Sequence, residues 1–356
     1  MNKQAEKLLA PLGWLFGGII GARRGLYRRG FFKAVDLGVP VVSVGNLTVG
    51  GTGKTPLVRF VAEVLAERGH KVCVLTRGYK RSNPTERVLV SDGRQILTDA
   101  ERAGDEPFEL SYKLLGMAAV IADKNRAAAG IWAMENWGIT AFVLDDGFQH
   151  LRLKRDLNIL CIDATNPFGS GKLLPAGILR EPLTSLRRAD CIVLTRADLG
   201  ENVQSLKSKV QSLNAACPIL LSKTQIVGLT NIGEFPAKSP DLSSAESKIQ
   251  NPKSKIGLAF CALGNPHGFF ESLRQADFSL VAVKAFADHY VYQQIDLDFI
   301  EKEASSKGAE ILLTTAKDAV KLKNLKFCMP CFVVEIEIVF DDDRPLHEML
   351  QKINCR

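Results

Sequence analysis

Pro40-Val41-Val42-Ser43-Val44-Gly45-Asn46-Leu47-Thr48-Val49-Gly50-Gly51-Thr52-Gly53-Lys54-Thr55 decides how the rest of the chain is read. Val41 to Val44 is a short apolar run that breaks into a glycine-rich loop. Leu57, Val58, Val61 and Leu65 then recur at helical spacing. Strand, loop and helix in this order let backbone N–H groups and a helix N-terminus hold phosphate oxygens. The full pattern is G-x-x-x-x-G-K-[ST], and Thr48 stands at its first glycine. Gly50, Gly51 and Gly53, with Thr52 between them, keep the freedom that a tight anion-binding loop needs. Lys54 is placed to reach β- and γ-phosphates, and the Thr55 hydroxyl to hold Mg²⁺. The plainer alternative is a glycine-rich turn before a helix, but the flanking elements favour nucleotide binding.

The chain has 356 residues and 46% hydrophobic content, enough for two domains or one enlarged α/β domain. Its net charge of +7 is lopsided: residues 1–33 carry seven cations against Glu6, leaving the body close to neutral. A general nucleic-acid surface is therefore not expected. Leu8 to Ile20 is apolar, yet at 13 residues it falls short of the about 20 needed to span a bilayer. The basic cluster Arg23, Arg24, Arg28 and Arg29 follows it, which argues against a signal peptide. The pattern suits a helix lying on an anionic membrane surface; a helix packed on the domain with a solvated basic end is the alternative. Of the eight cysteines, Cys73, Cys161, Cys191 and Cys261 lie in apolar runs and read as reduced, buried thiols. Cys328 and Cys331 have C-x-x-C spacing without a matching second pair, so a metal site there is not expected.

Further strands end in polar residues, and in an open α/β sheet those ends face the ligand crevice. Lys71 to Leu75 leads to Arg77 and Tyr79, placed to meet substrate. Asp105 and Glu106 open a helical stretch, as caps or as catalytic acids. Thr140 to Leu144 runs into Asp145 and Asp146, a Walker-B-like element whose acids suit a metal. Gly169-Ser170-Gly171-Lys172 mimics a second phosphate loop, but Leu173 stands where Ser or Thr is needed. Arg180 beyond it suits phosphate or a plain salt bridge. His289 alone reads as an ordinary loop histidine. The expected organisation is a basic apolar helix (1–33), a phosphate-loop core (34–228), a Pro- and Ser-containing flexible connection (229–255) and a smaller second α/β portion (256–356).

Together these motifs go beyond a generic phosphate loop. Gly45-Asn46-Leu47-Thr48 with Gly50 to Pro56, Thr76-Arg77-Gly78-Tyr79, Gly104-Asp105-Glu106-Pro107, Asp145 to His150, Leu174-Pro175-Ala176-Gly177 with Arg180-Glu181-Pro182, and Asp288-His289 occur in one order. The chain resembles the tetraacyldisaccharide 4′-kinase family over nearly its whole length. Residues 229–255 look inserted or diverged, and Phe260 to His267 matches only loosely. The resemblance implies a P-loop NTPase-like sheet and an ATP- and Mg²⁺-dependent kinase. Its substrate would be the 4′-hydroxyl of a lipid disaccharide at the cytoplasmic face of the inner membrane, with no obligate protein partner. By motif position, Lys54 would contact nucleotide phosphates and Thr55 would hold Mg²⁺. Asp105 would be the general base and His289 its partner. Asp145, Asp146 and Glu106 would join the metal network, while Tyr79, Arg77 and Arg180 would lie near substrate.

Two other classes compete. Thr195-Arg196-Ala197-Asp198 resembles a guanine-reading [NT]-K-x-D element with Arg for Lys, as in a phosphate-loop GTPase or metallochaperone. A non-catalytic membrane scaffold that only binds nucleotide is the third.

Overall fold

The computed structural model describes residues 3–79, 81–235 and 255–353. Its elements in chain order begin with α1 (Lys3–Arg28), β1 (Val41–Asn46), α2 (Lys54–Glu67), β2 (Val72–Thr76) and β3 (Val88–Ser91). Next come α3 (Ala100–Ala103), α4 (Asp105–Lys113), β4 (Ala118–Ala122), α5 (Arg126–Trp137), β5 (Ala141–Asp145) and β6 (Leu157–Asp163). Then follow β7 (Cys191–Thr195), α6 (Val203–Leu213), β8 (Ile219–Asn231), β9 (Ile256–Cys261), α7 (Pro266–Gln275) and β10 (Ser279–Ala285). The chain closes with α8 (Gln294–Ser306), β11 (Ile311–Thr315), α9 (Ala316–Leu322), β12 (Cys331–Phe340) and α10 (Arg344–Lys352).

The described strands form one 12-stranded sheet in the order β10-β9-β11-β12-β8-β7-β6-β1-β5-β2-β4-β3. Strands β1, β2 and β4 to β7 are buried along their whole length. That is why they read as unbroken apolar runs: a parallel sheet is covered on both faces. Helix α2 covers one face with Leu57, Val58, Val61, Ala62, Val64 and Leu65. Strand β1 lies between β5 and β6, so the phosphate loop leaves the sheet at its centre.

The two halves join along β8, a strand absent from the sequence reading. Ile219 to Leu221 pair in parallel with Ile192 to Leu194 of β7. The remainder, Ser222 to Asn231, pairs antiparallel with Phe332 to Phe340 of β12, with a register shift at Glu335 and Ile336. Such an irregularity bends and twists a strand. Residues 229–231, expected in the flexible connection, therefore belong to a paired strand. Most of the rest of that expected connection, 236–254, lies outside the described residues. Beyond β12, β11, β9 and β10 continue in parallel.

Helix α1 is twice as long as the apolar run that marked it. Gly13 and Gly17, one turn apart, let it lie close on the loop after β6. A Cβ at Gly13 would be 3.2 Å from the Leu173 carbonyl oxygen, and one at Gly17 would be 2.7 Å from Leu173 Cδ1. Lys172 Nζ pairs with Glu6 Oε2 at 2.9 Å, and Arg24 donates to Ser185 Oγ at 2.7 Å. The Gly-Ser-Gly-Lys stretch is thus a docking point for α1 and not a second phosphate loop. No described helix is long and apolar enough to cross a membrane.

Gly45 near the end of β1 has no room for a side chain: a Cβ would lie 2.6 Å from the Phe148 backbone nitrogen. Gly45→Ala is expected to lower unfolding free energy by about 1–3 kcal/mol, measured by urea denaturation. A neutral result would mean that the β5–β6 connection yields freely.

Candidate active site

The loop after β1 is held from behind. Asn46 Nδ2 donates to the Thr48 carbonyl at 2.8 Å and to Thr52 Oγ1 at 3.0 Å. Thr195 Oγ1 donates to the Thr52 carbonyl at 2.8 Å, and Arg196 donates to the Gly51 carbonyl at 3.0 Å. A planar trans peptide directs its N–H opposite its C=O. Anchoring the carbonyls of Gly51 and Thr52 therefore leaves the amides of Thr52 and Gly53 free to face an anion. Gly53, at φ 73°, opens α2 with no side-chain cap, so the helix N-terminus is also unspent. Gly50, Gly51, Thr52, Gly53, Lys54 and Thr55 line a cavity of about 950 Å³.

Acids from α4 and β5 meet the loop in this cavity. Asp145 ends β5 and accepts from Thr76 Oγ1 at 2.8 Å. Burial and the nearby carboxylates of Glu106 and Asp146 push its carboxyl up to about 6. Asp146 has φ 49°, a left-handed geometry rare outside glycine. Burial works against its charge, but Lys54 at 3.7 Å and Arg180 at 2.6 Å hold its carboxyl well below the ordinary range. Its Oδ1 is buried without a hydrogen-bond partner. Crowded carboxylates, one pushed toward protonation and one with an oxygen that makes no hydrogen bond and faces Lys54 at 3.7 Å, fit a divalent cation. Among the described residues no three His, Cys, Asp or Glu side chains could hold one alone. Mg²⁺ typically takes one or two carboxylates and completes its shell with phosphates and water. Thr55, Asp145, Asp146 and Glu106 line the same cavity and could serve it in that way.

The third group comes from the far end of the chain. His289, following β10 at φ 64°, places Nδ1 3.2 Å from Asp105 Oδ2 in the first turn of α4. A left-handed non-glycine residue costs about 1–3 kcal/mol and persists where its surroundings impose it. Lys321 Nζ lies 3.2 Å from the same Asp105 oxygen. Burial pushes the Asp105 carboxyl up, but His289 and Lys321 outweigh it, and the net direction is down. Lys317 Nζ lies 3.0 Å from Asp288, 3.4 Å from Glu106 and 3.5 Å from His289 Nε2. Burial opposes the Lys317 charge, yet Glu106 and Asp288 raise its pKa overall. The sequence motifs assign no role to Lys317 or Lys321. Their signal was position: both lie on α9, one helical turn apart, directly after the buried strand β11.

Tyr79 is 59% exposed, with its ring 5.7 Å from that of His289. Arg77, Arg126, His150 and Arg180 line the cavity with Phe16, Ile20, Arg23 and Tyr27 of α1. The cavity thus runs from the phosphate loop to an N-terminal helix wall. Arg196, which suggested a guanine reader, is spent on the Gly51 carbonyl and Asp163. The Cys328 and Cys331 pair lies elsewhere, with Cys328 exposed and Cys331 buried.

A phosphate-binding loop at the centre of a parallel sheet, paired acids and a His-supported carboxylate define a phosphotransferase of the phosphate-loop class. Comparison with known proteins gives the family. The model of the family described as Tetraacyldisaccharide-1-P 4′-kinase matches residues 5–354, and the chain belongs to that family. The tetraacyldisaccharide 4′-kinase of Pelobacter propionicus is 39% identical, over 99% of this chain and 93% of that protein. That of Geobacter sulfurreducens is 39% identical, over 97% and 93%. The crystal structure of LpxK from Aquifex aeolicus, described as in complex with ATP, superposes with a TM-score of 0.76. It is 34% identical, and the match covers 98% of this chain and 99% of that one. The chain is a kinase, and the GTPase alternative gives way.

His150 provides a pH test. Burial, then Arg126, Arg155, Arg23 and Arg152, push its imidazole from 6.5 down to about 3. The native state therefore binds fewer protons than the unfolded chain between those values. This contribution to stability is complete above 6.5 and drains as pH falls. Wild type is expected to lose on the order of 1–2 kcal/mol more than His150→Gln between pH 7 and pH 5. Urea unfolding at the two pH values measures it, and equal losses would mean that His150 titrates normally.

Proposed function

We propose that this chain transfers the γ-phosphoryl group of ATP to the 4′-hydroxyl of a tetraacyl disaccharide lipid, at the cytoplasmic face of the inner membrane. The single observation that carries the reading is the 3.2 Å contact between Asp105 and His289, which lines the same cavity as the phosphate loop. It supplies an ionised proton acceptor held by His289, which lines the cavity where the phosphate donor would bind.

In this reading the Gly50 to Thr55 amides and Lys54 hold the β- and γ-phosphates. Asp105 takes the proton of the lipid hydroxyl as its oxygen bonds to the γ-phosphorus. The bond from that phosphorus to the bridging oxygen breaks, and ADP leaves. His289 orients Asp105. A loose transition state makes little bond to the nucleophile until late, so a carboxylate with a lowered pKa suffices as base. Thr55, Asp145, Asp146 and Glu106 would hold Mg²⁺, which when bound neutralises charge on the phosphate oxygens. Lys54 and Arg180 would turn from Asp146 toward phosphate and substrate, and Arg77 and Tyr79 would contact the disaccharide.

Helix α1 supports a peripheral membrane position. Leu8 (81% exposed), Leu12, Leu15 and Ile19 (59% exposed) form an outward stripe at helical spacing, flanked by Trp14. The opposite side docks on the body, and Arg23, Arg24, Arg28 and Arg29 follow. An apolar face with a basic end suits the interface of an anionic bilayer.

Asp105→Asn is expected to lower kcat by about 10²–10⁴-fold while the KM for ATP stays within about twofold, read from labelled ATP and lipid disaccharide in detergent. Retained turnover would remove Asp105 as base. Replacing Trp14 and Leu15 with Glu is expected to reduce co-sedimentation with anionic vesicles while turnover in detergent persists. Undiminished vesicle binding would place the membrane contact elsewhere.

A further inference from the structure

Arg196 was singled out as a degenerate guanine reader, and the mechanism above leaves it without a role. Its surroundings give it one. It follows β7 in a left-handed conformation at φ 53°. Its guanidinium donates to the Gly51 carbonyl and pairs with buried Asp163 at the end of β6. Asp163 Oδ2 also accepts from Asn265 Nδ2 at 2.8 Å, and Asn265 Nδ2 reaches Thr165 Oγ1 at 3.0 Å. Asn265 belongs to the second half of the chain, where its Oδ1 caps α7 by accepting from Gly268 N at 3.2 Å. Both neighbours of this contact are tight. A Cβ at Gly264 would lie 2.7 Å from the Gly51 nitrogen, and one at Gly268 would lie 2.9 Å from Arg196 Nε. The turn before α7 therefore rests on the phosphate loop, and the start of α7 rests on Arg196.

We propose that Arg196 is a positioning residue for the nucleotide, coupling the docking of the Gly264–Asn265 turn to the shape of the phosphate loop through Asp163. The inference rests on the reading that this loop binds nucleotide phosphates. Arg196 fixes the peptide between Gly51 and Thr52, so that the Thr52 N–H stays opposite its anchored carbonyl. Asp163 is the shared acceptor. Thr165 N and Oγ1 hold its Oδ1, and with Asn265 in place its Oδ2 is shared between Asn265 and Arg196, so that Arg196 is held with it. When the turn lifts, Asp163 and Arg196 lose that brace, and the Gly51–Thr52 peptide is freer to rotate. Docking of the second half, which also carries His289, and readiness of the phosphate loop are then one event.

The test uses the full-length protein, calorimetric ATP binding and steady-state kinetics. Arg196→Ala is expected to weaken ATP binding and raise the KM for ATP about tenfold, the scale of one lost charge-assisted hydrogen bond. The KM for the lipid and kcat should stay within about twofold. Asn265→Asp keeps the helix cap but removes the donor and sets a second carboxylate beside Asp163. It is expected to raise the KM for ATP about threefold, and to add nothing in the Arg196→Ala background. Unchanged ATP affinity in Asn265→Asp, or effects that multiply in the double variant, would overturn the coupling. Equal rises in both KM values would reduce Arg196 to a general structural role. If Arg196→Ala fails to fold, Arg196→Lys with Asn265→Asp carries the same comparison. Wild type that binds no ATP would remove the nucleotide reading itself, whereas normal wild-type binding with unaffected variants removes only the coupling.

Discussion

A trans peptide points its N–H away from its C=O, and the centre of this molecule is arranged around that constraint. For amides to face an anion, their carbonyls must be satisfied from behind. Asn46, Thr195 and Arg196 do this for Thr48, Thr52 and Gly51. Each anchor sits at or just past the end of a buried strand, so the loop inherits the rigidity of the sheet. Thr48, at the position of a missing motif glycine, forms a short bridge with Leu179 instead. That contact ties the loop to the segment carrying Arg180, whose backbone donates to the Leu47 carbonyl at 2.7 Å.

Charge balance is the second organising constraint. Asp145, Asp146 and Glu106 line one cavity and Asp105 sits behind its His289, and isolated carboxylates in such places are costly. Lys54 and Arg180 answer Asp146, Lys321 answers Asp105, and Lys317 answers Glu106 and Asp288. The lysines on α9 come from the second half of the chain, so the halves are held together by the charges that the site needs. Burial, and then the charges of Glu106 and Asp146, push the Asp145 carboxyl up, and a cation fits beside it.

Helix α1 divides its faces among separate tasks. Gly13 and Gly17 allow close docking on Leu173, Phe16, Ile20, Arg23 and Tyr27 face the cavity, and the Leu8 to Ile19 stripe is left outward. The same helix forms a wall of the site and leaves an apolar surface on its outward side.

The phosphate loop, the buried strands, the Walker-B-like acids and the basic apolar helix were legible in the sequence because each is written by local periodicity and spacing. Asp105, Asp145 and Asp146 were legible for the same reason: they follow glycine or end an apolar run. The pairing of His289 with Asp105 was not readable from spacing, since 184 residues separate them and β8 sets their approach. Strand β8 itself was missed because its outer half is only partly buried and opens with four consecutive polar residues, Ser222 to Gln225, which break the apolar run. Lys317, Lys321 and the anchoring role of Arg196 likewise belong to tertiary structure. The sequence alone determined a phosphate-binding α/β core and its family. Only the folded chain decided which distant charges meet, because ion pairing depends on distance through space and periodicity records only neighbours along the chain.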